Sequence, residues 1–90
     1  MCSMPKHVLF WGESYDEYLY WETRDPKTLQ RIKTLIKDIR RDAYHGLGKP
    51  EPLKNKQGKW SRRIDKQNRI VYRVEGDTVV IYSCRSHYDD

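Results

Sequence analysis

Three β-strands are predicted within residues 60–85, WSRRIDKQNRIVYRVEGDTVVIYSCR. Their bounds are 60–65, 69–74 and 79–85, and each contains β-branched or aromatic residues that favour strands. The tripeptides KQN at 66–68 and EGD at 75–77 separate them, and the second contains the glycine typical of a tight hairpin. Two connections this short predict an antiparallel meander.

The residues before the meander predict one strand and two helices. Residues 7–11 (HVLFW) form the strand, and residues 14–17 (SYDE) match a capping box in which Ser14 and Glu17 cap the first helix. Asp25 followed by Pro26 predicts the start of a second helix, which ends near Arg41. Its inward apolar stripe consists of Leu29, Ile32, Leu35, Ile36 and Ile39. We therefore expect an α+β domain with both helices on one face of a twisted sheet.

Length and composition limit the class of protein. The 90 residues are enough for one domain spanning 1–90, with mobile ends at 1–6 and 89–90. No apolar run approaches the roughly 20 residues that span a bilayer, and the start does not resemble a signal peptide, so we expect a cytoplasmic protein without a membrane partner. The two cysteines and three histidines show no ligand spacing, and we expect no disulfide, no metal and no cofactor.

Charge is distributed unevenly along the chain, whose formal net charge is +5. Residues 12–25 contain five acids and one base, whereas residues 49–73 contain nine bases and two acids, a local net charge of +7. Such a basic segment attracts polyanions. Trp11 and Trp21 are expected in the packing between helix and sheet. Aromatic residues near the basic segment suit base stacking, and these are Trp60, Tyr72, Tyr82 and Tyr88.

One face of the predicted sheet is left for binding. Alternation along the middle strand puts Ile70, Tyr72 and Val74 on one side and Arg69, Val71 and Arg73 on the other. The first set is more apolar and therefore meets the helices, so Arg69 faces the open side. Arg62 and Arg63 point to opposite faces, and the sequence does not decide which of them joins Arg69.

Two side chains could supply acid–base chemistry near this basic face. Glu51 lies between two prolines in GKPEPLK, residues 48–54, within a predicted loop over residues 43–59 that has room for one short strand. His87 follows the last strand, and imidazole is the side chain whose ordinary pKa lies nearest neutrality. A carboxylate, an imidazole and fixed guanidinium groups are the parts needed to cleave RNA without a metal.

Six motifs resemble the YoeB/Txe branch of the RelE toxin superfamily, in order from about residue 7 to residue 88. They are YLYW at 18–21, LIKD at 35–38, GKPEPLK at 48–54, WSRRI at 60–64, RIVY at 69–72 and CRSHY at 84–88. The resemblance implies a RelE-like, microbial RNase-like fold and the toxin of a bacterial type II toxin–antitoxin pair. It also implies an endoribonuclease that cuts mRNA in the ribosomal A site and thereby inhibits translation.

The resemblance also implies a role for each matching residue. Glu51 matches the general base, His87 the general acid, and Arg69 the residue that stabilises the transition state. Tyr88 matches the aromatic residue that helps to position the nucleotide. The basic residues expected to contact RNA phosphates are Lys49, Lys54, Lys56, Lys59 and Arg63. Two acids, Asp89 and Asp90, follow the terminal His-Tyr of the family pattern and depart from it.

The implied partners are a cognate antitoxin, the 70S ribosome and mRNA. The antitoxin is of the YefM/Axe type with an acidic, partly disordered segment, and operator DNA is reached only through it. A homodimer is left open. Two other functions also remain open: a non-catalytic RNA- or ribosome-binding module, and a protein that acts mainly by binding an antitoxin and operator DNA.

Each candidate residue has an ordinary structural alternative. Glu51 could be a loop acid in a salt bridge with Lys49 or Lys54. Arg69 could be a solvated strand residue, and the end of the chain could be frayed. Tyr88 could pack on the sheet edge, and Trp60 could belong to the core.

Overall fold

The computed structural model describes residues 5–54 and 57–86 of the chain. The elements, in chain order, are β1 (His7–Phe10), α1 (Ser14–Arg24), α2 (Pro26–Arg41), β2 (Glu51–Pro52), β3 (Trp60–Arg63), β4 (Arg69–Glu75) and β5 (Thr78–Ser86). The predicted first strand, helix pair and three-stranded meander are confirmed, and β2 lies inside the predicted loop. Within those ranges, no helix is long and apolar enough to cross a membrane.

The strands form one sheet in the order β1-β5-β4-β3-β2. β4 pairs antiparallel with both β3 and β5, as a meander requires, and β2 pairs antiparallel with β3. β1 pairs parallel with β5, from His7 opposite Thr78 to Phe10 opposite Ile81. The first and last strands of the chain therefore lie side by side.

The main core lies between the two helices and one face of the sheet. α1 contributes Trp21, whose Nε1 donates a hydrogen bond to the Cys84 carbonyl at 2.9 Å. The predicted stripe of α2 is confirmed, with Ile36 only partly buried and the other four members buried. The strands and their flanks contribute Ile64, Ile70, Tyr72, Val79, Ile81 and Cys84. This arrangement confirms the α+β fold with its helices on one face.

The opposite face of the sheet is less open than alternation alone predicted. Leu53, Val71 and Val80 are each at most 6% exposed, although they lie outside the main core. Leu53 follows β2, and its N–H donates to the Lys59 carbonyl at 2.9 Å, which continues the pairing with the β3 side. A small apolar centre therefore occupies the middle of this face, and the polar residues lie around it.

The start of α2 is confirmed in its predicted form. Asp25 is the N-cap residue, Pro26 occupies the first helical position, and the Asp25 carboxylate accepts hydrogen bonds from the Thr28 N–H at 3.3 Å and the Thr28 hydroxyl at 2.9 Å. The last helical residue is Arg41, as predicted.

The capping box predicted for α1 is wrong. Glu13 is the N-cap residue and makes no side-chain cap hydrogen bond. The Ser14 hydroxyl instead donates to the Ile81 carbonyl at 2.9 Å, and the Glu17 carboxylate accepts from the Cys84 N–H at 2.8 Å. Both side chains satisfy backbone groups of β5, because α1 packs against this strand and buried backbone groups need partners.

Two irregularities in β5 change which of its residues reach each face. The pairing with β4 shifts register between Arg69 and Val71, and again between Val71 and Tyr72. A regular strand would put Ile81 and Cys84 on opposite faces, whereas both belong to the main core here. The shifts have the character of β-bulges, which insert an extra residue and re-aim the side chains around it.

Candidate functional site

Glu51 is held at the edge of the sheet by the short strand β2. It pairs with Ser61 of β3, and Pro52 pairs with Trp60. A proline is tolerated there because β2 is an edge strand and its outer side needs no hydrogen-bond donor. Glu51 is partly buried. Among residues 5–54 and 57–86 it forms no ion pair, so the alternative salt bridge to Lys49 or Lys54 is not present there.

Glu51 and Arg69 lie on the same face of the sheet. Glu51 is opposite Ser61, and Ser61 is opposite Val71, two residues from Arg69 on β4. Directly opposed residues in antiparallel strands share a face, as do residues two apart on one strand. Strand spacing and rise per residue put the two Cα atoms about 12 Å apart.

The structure decides which of the two adjacent arginines joins this face. Arg63 is exposed and lies directly opposite Arg69. Arg62 points to the helix side and is 0% exposed, with hydrogen bonds to the Asp38 carboxylate at 2.5 Å and the Tyr72 hydroxyl at 3.2 Å. It also donates to the backbone carbonyls of Asp42, His45 and Leu47.

The Arg62 hydrogen bonds organise the loop that leads from α2 to Glu51. Three carbonyls of residues 42–47 converge on this one guanidinium, which gives them partners that solvent would otherwise supply. The next residue, Gly48, accepts a hydrogen bond from the Arg63 N–H at 2.7 Å and has φ +77°. The segment that leads to Glu51 is therefore attached to β3 by hydrogen bonds to Arg62 and Arg63, and then by the β2–β3 pairing.

Asp38 is the acidic partner in this network and was missed from the sequence. Burial alone would raise its pKa, but hydrogen bonds from the Leu47 N–H, Arg62 and Arg41, together with the charge of Arg62, lower the pKa to about 2. The available signal was that Asp38 is the only acid in the 16 residues of α2. A lone carboxylate one position before a core residue of a basic helix is a candidate partner for a buried cation.

The last two predicted catalytic residues lie outside the described residues. These are His87 and Tyr88, and Lys56, one of the predicted RNA contacts, also lies outside them. β5 is described up to Ser86, which pairs with Arg69. His87 is the next residue in the sequence.

The remaining predicted RNA contacts lie next to β2 and β3 in the chain. Lys49 and Lys54 are exposed on either side of β2, and Lys49 has φ +57°. Lys59 directly precedes β3, with its Nζ 4.1 Å from the centre of the Tyr82 ring. Lys49 and Lys54 therefore lie near Glu51 in the chain, whereas Lys59 lies at Tyr82.

Two predictions about aromatic residues are wrong. Tyr72 is 0% exposed and its hydroxyl donates to the Ala43 carbonyl at 2.6 Å, so it belongs to the core and cannot stack on a base. Trp11 is 60% exposed and therefore does not lie in the packing between helix and sheet. Trp21 is buried there as expected, and Trp60 packs partly against the core, 4.8 Å from the Tyr44 ring.

Cys84 and the other potential metal ligands form no reactive or ligand cluster in the described parts of the chain. Burial and then the charge of Glu17 raise the pKa of the Cys84 thiol to about 12, so it stays protonated at neutral pH. Across residues 5–54 and 57–86, no group of three or more His, Cys, Asp or Glu side chains could hold a metal ion.

The fold, with its basic sheet face opposite two helices, is that of RelE-like bacterial toxins. A chain of the Escherichia coli DinJ–YafQ toxin–antitoxin complex has the same fold, with a TM-score of 0.74 at 12% identity over 93% of this chain and 94% of that one. Within this class, the chain belongs to the family described as the YoeB-like toxin of bacterial type II toxin–antitoxin systems, whose model matches residues 10–88. The resemblance seen in the sequence is confirmed.

The match with individual relatives extends over nearly the whole length of both chains. Toxin YoeB of Escherichia coli strain K12 is 51% identical over 82 residues, which are 89% of this chain and 98% of that protein. The YoeB dimer from Staphylococcus aureus matches with a TM-score of 0.88 and 38% identity over 93% of this chain and 99% of that one. A heterotetrameric YoeB–YefM toxin–antitoxin complex from the same species matches with a TM-score of 0.84 and 37% identity over 91% and 97%.

Proposed function

We propose that this toxin is an endoribonuclease that cleaves mRNA in the ribosomal A site by acid–base catalysis without a metal, and so inhibits translation. The observation that carries the proposal is the common sheet face of Glu51 and Arg69, with Arg63 beside Arg69 and the end of β5 paired to it. A carboxylate and a guanidinium about 12 Å apart at their Cα atoms can approach one ribose–phosphate unit from two sides.

The reaction uses the 2′-hydroxyl of RNA as the nucleophile. Glu51 takes the proton of that hydroxyl, and the 2′-oxygen forms a bond to phosphorus. The bond from phosphorus to the 5′-oxygen breaks, and His87 gives this oxygen a proton. The products are a 2′,3′-cyclic phosphate and a 5′-hydroxyl. Positioned general acids and bases each contribute typically about 10²–10⁴-fold.

Arg69 supports this reaction by stabilising the charge that develops on the phosphoryl oxygens. Tyr88 holds the neighbouring nucleotide, and the surrounding cations contact phosphates that position the strand. The phosphate contacts are Lys49, Lys54, Lys56, Lys59 and Arg63. In-line attack requires an aligned 2′-hydroxyl, and an oriented intramolecular geometry is worth several powers of ten in rate. The ribosome supplies that alignment by bending the message.

Cleavage and binding can be measured separately to test this proposal. Glu51→Gln and His87→Ala should abolish most mRNA cleavage in a purified translation system, while cosedimentation with ribosomes is retained. Glu22→Gln and His7→Ala are matched controls, because both side chains are exposed and lie outside the proposed site. Wild-type cleavage by either site variant would refute the acid–base assignment. Ribosome binding without any cleavage by the unmodified protein would identify a non-catalytic binding module instead.

We also propose a cognate antitoxin of the YefM/Axe type as the inhibitory partner. The Staphylococcus aureus relative forms a complex with YefM, and a net charge of +7 over residues 49–73 favours an acidic segment that orders on binding. This segment covers Arg69 and Lys54 or displaces the residues after Ser86. Operator DNA is bound only through the antitoxin, and the toxin itself forms a homodimer like that of the Staphylococcus aureus protein.

The partner proposal is tested by inhibition and hydrogen exchange. Added antitoxin should suppress cleavage and protect backbone amides of β4 and of the segment after β2. Full cleavage activity in the complex, or unchanged exchange at both places, would contradict it. A short acidic reading frame next to the toxin gene would identify the partner to use.

A further inference from the structure

An exposed tryptophan and a tyrosine lie together where the end of β1 meets the middle of β5. The Trp11 and Tyr82 ring centres are 5.9 Å apart at an interplanar angle of 49°, and Trp11 is 60% exposed. The Lys59 Nζ lies over the Tyr82 ring, 4.1 Å from its centre. These three residues are called the distal aromatic site.

Backbone geometry holds this site in place. The Trp11 N–H donates to the Ile81 carbonyl at 2.9 Å, which extends the β1–β5 pairing to the residue next to Tyr82. The pairing of β5 with β4 passes from Ile81 to Ser83 across one of the register shifts, so Tyr82 has no direct partner on β4. A bulged residue is re-aimed in this way, and here it is turned toward Trp11 and Lys59.

The charges around the site favour an anion with an aromatic part. Lys59 forms no ion pair with an acid of residues 5–54 and 57–86. Arg73 is close by, since its guanidinium donates to the Gln57 carbonyl at 3.3 Å and pairs with Glu75, which also accepts from the Tyr82 hydroxyl at 3.4 Å. Among these contacts one acid, Glu75, faces two cations, Lys59 and Arg73, and the exposed Trp11 ring lies against Tyr82.

The site is separate from the proposed catalytic residues. Lys59 is four residues from Arg63, which lies opposite Arg69, so the Lys59 and Arg69 Cα atoms are about 14 Å apart. The Tyr82 hydroxyl donates to Glu75, which is six residues from Arg69 on β4. The Tyr82 side chain and the Lys59 ammonium group over its ring are therefore directed away from the phosphate proposed near Arg69. Lys59 and Arg69 both belong to the basic segment of residues 49–73, and a single RNA strand can pass from one to the other.

We propose that the distal aromatic site binds one unpaired RNA nucleotide, with its base stacked on Trp11 and its phosphate near Lys59. Proteins that bind single-stranded RNA use this combination of aromatic surface and cation, because every base has a face that can stack. The inference deepens the proposed ribonuclease function, since it rests on RNA being the ligand, and it assigns Trp11 and Tyr82 roles outside the chemical step.

RNA binding can be measured without cleavage by using a short oligouridylate whose 2′-hydroxyls are methylated. Trp11→Ala should raise its Kd by roughly five- to 150-fold, the range found for loss of one stacked base, and Trp11→Phe should retain most of the affinity. Tyr15→Ala is the matched control, because Tyr15 is 51% exposed on α1 and contacts neither Tyr82 nor Lys59 in the ring contacts that define the site. Because no ribosome is present, the assay measures RNA binding without any contribution from binding to the ribosome.

A second measurement tests the cation. Lys59→Ala should reduce the slope of log K against log salt by about 0.7, as expected for one phosphate contact on a single strand, and the exposed Lys27→Ala should not. Unchanged affinity in Trp11→Ala, or an equal loss in Tyr15→Ala, would overturn the inference. So would a change of oligomeric state in Trp11→Ala with unchanged RNA affinity, because a second copy would then cover Trp11.

The outcome is independent of the test of catalysis. If Trp11→Ala weakens binding while the unmodified protein fails to cleave mRNA, the distal site stands and the ribonuclease proposal fails. If Glu51→Gln and His87→Ala lose cleavage while Trp11→Ala binds RNA normally, the reverse holds.

Discussion

Replacing Asp38 by asparagine is expected to destabilise the fold by removing one charge from a buried pair. The Arg62 side chain is 0% exposed and the Asp38 side chain 11% exposed, and their charged groups are 2.5 Å apart. Asparagine keeps the size of the side chain and one oxygen acceptor, but it leaves the guanidinium without a counter-charge. Removing one partner of a buried pair is costly because the other charge stays desolvated.

The magnitude follows from the pKa of the carboxyl group. A fall from 3.8 to about 2 on folding corresponds to about 2.4 kcal/mol, at about 1.36 kcal/mol per pH unit. Truncating one partner of a buried pair typically costs about 3–5 kcal/mol, which includes the penalty on the partner left behind. We therefore expect Asp38→Asn to lower the free energy of unfolding by roughly 2–5 kcal/mol at pH 7.

The same pair predicts how stability depends on pH. The pKa of Asp38 is lower in the folded state, so its contribution is complete above about pH 5 and is lost progressively as the pH falls toward 2. Urea unfolding of both proteins at pH 7, 4 and 2.5 measures this, and the difference between them should shrink at the lowest pH. Asp16→Asn, an exposed acid of α1, is the control and should cost under about 1 kcal/mol. A difference below 1 kcal/mol at pH 7, or one that does not change with pH, would refute the reasoning.

Three further predictions concern other parts of the fold. Ile39→Ala should cost about 2–5 kcal/mol in urea unfolding, because the side chain is 0% exposed in the main core. Gly48→Ala should cost more than Gly76→Ala in the same measurement. Both glycines have positive φ, but only at Gly48 would a new Cβ lie 3.0 Å from the Arg63 carbonyl, while nothing lies within 4 Å at Gly76. The Cys84 thiol, with its pKa raised to about 12, should react with iodoacetamide at pH 8 far more slowly in native than in urea-unfolded protein, as mass spectrometry of the labelled peptide would show.

The elements of this fold follow from signals within a few residues of one another. Asp25 and Pro26 set the start of α2 because the cap hydrogen bond and the proline ring act within the first helical turn. The apolar stripe of α2 and the glycine of the 75–77 turn are equally local, and both were confirmed. The family was also readable from motifs in the chain, and the family model matches residues 10–88.

The site was readable only in part. Glu51 and Arg69 were singled out by the proline frame, strand alternation and the resemblance, and the structure brings them to one face. Arg62 and Arg63 are chemically identical neighbours, so alternation could say only that they point apart. Arg62 is the arginine that points inward, because the Asp38 carboxylate and three loop carbonyls accept its hydrogen bonds on that side of β3.

The wrong predictions share one physical cause: a side chain bonds or packs with a group far away in the chain instead of with its neighbours in sequence. Ser14 and Glu17 had the spacing of a capping box, yet each bonds a backbone group of β5 that is 67 residues distant. Tyr82 and Trp11 meet because a register shift in β5 turns one ring and the β1–β5 pairing positions the other. Local spacing determines which hydrogen bonds are possible within one turn or strand. Only the packed structure determines which distant backbone groups and rings come close enough to replace those local contacts.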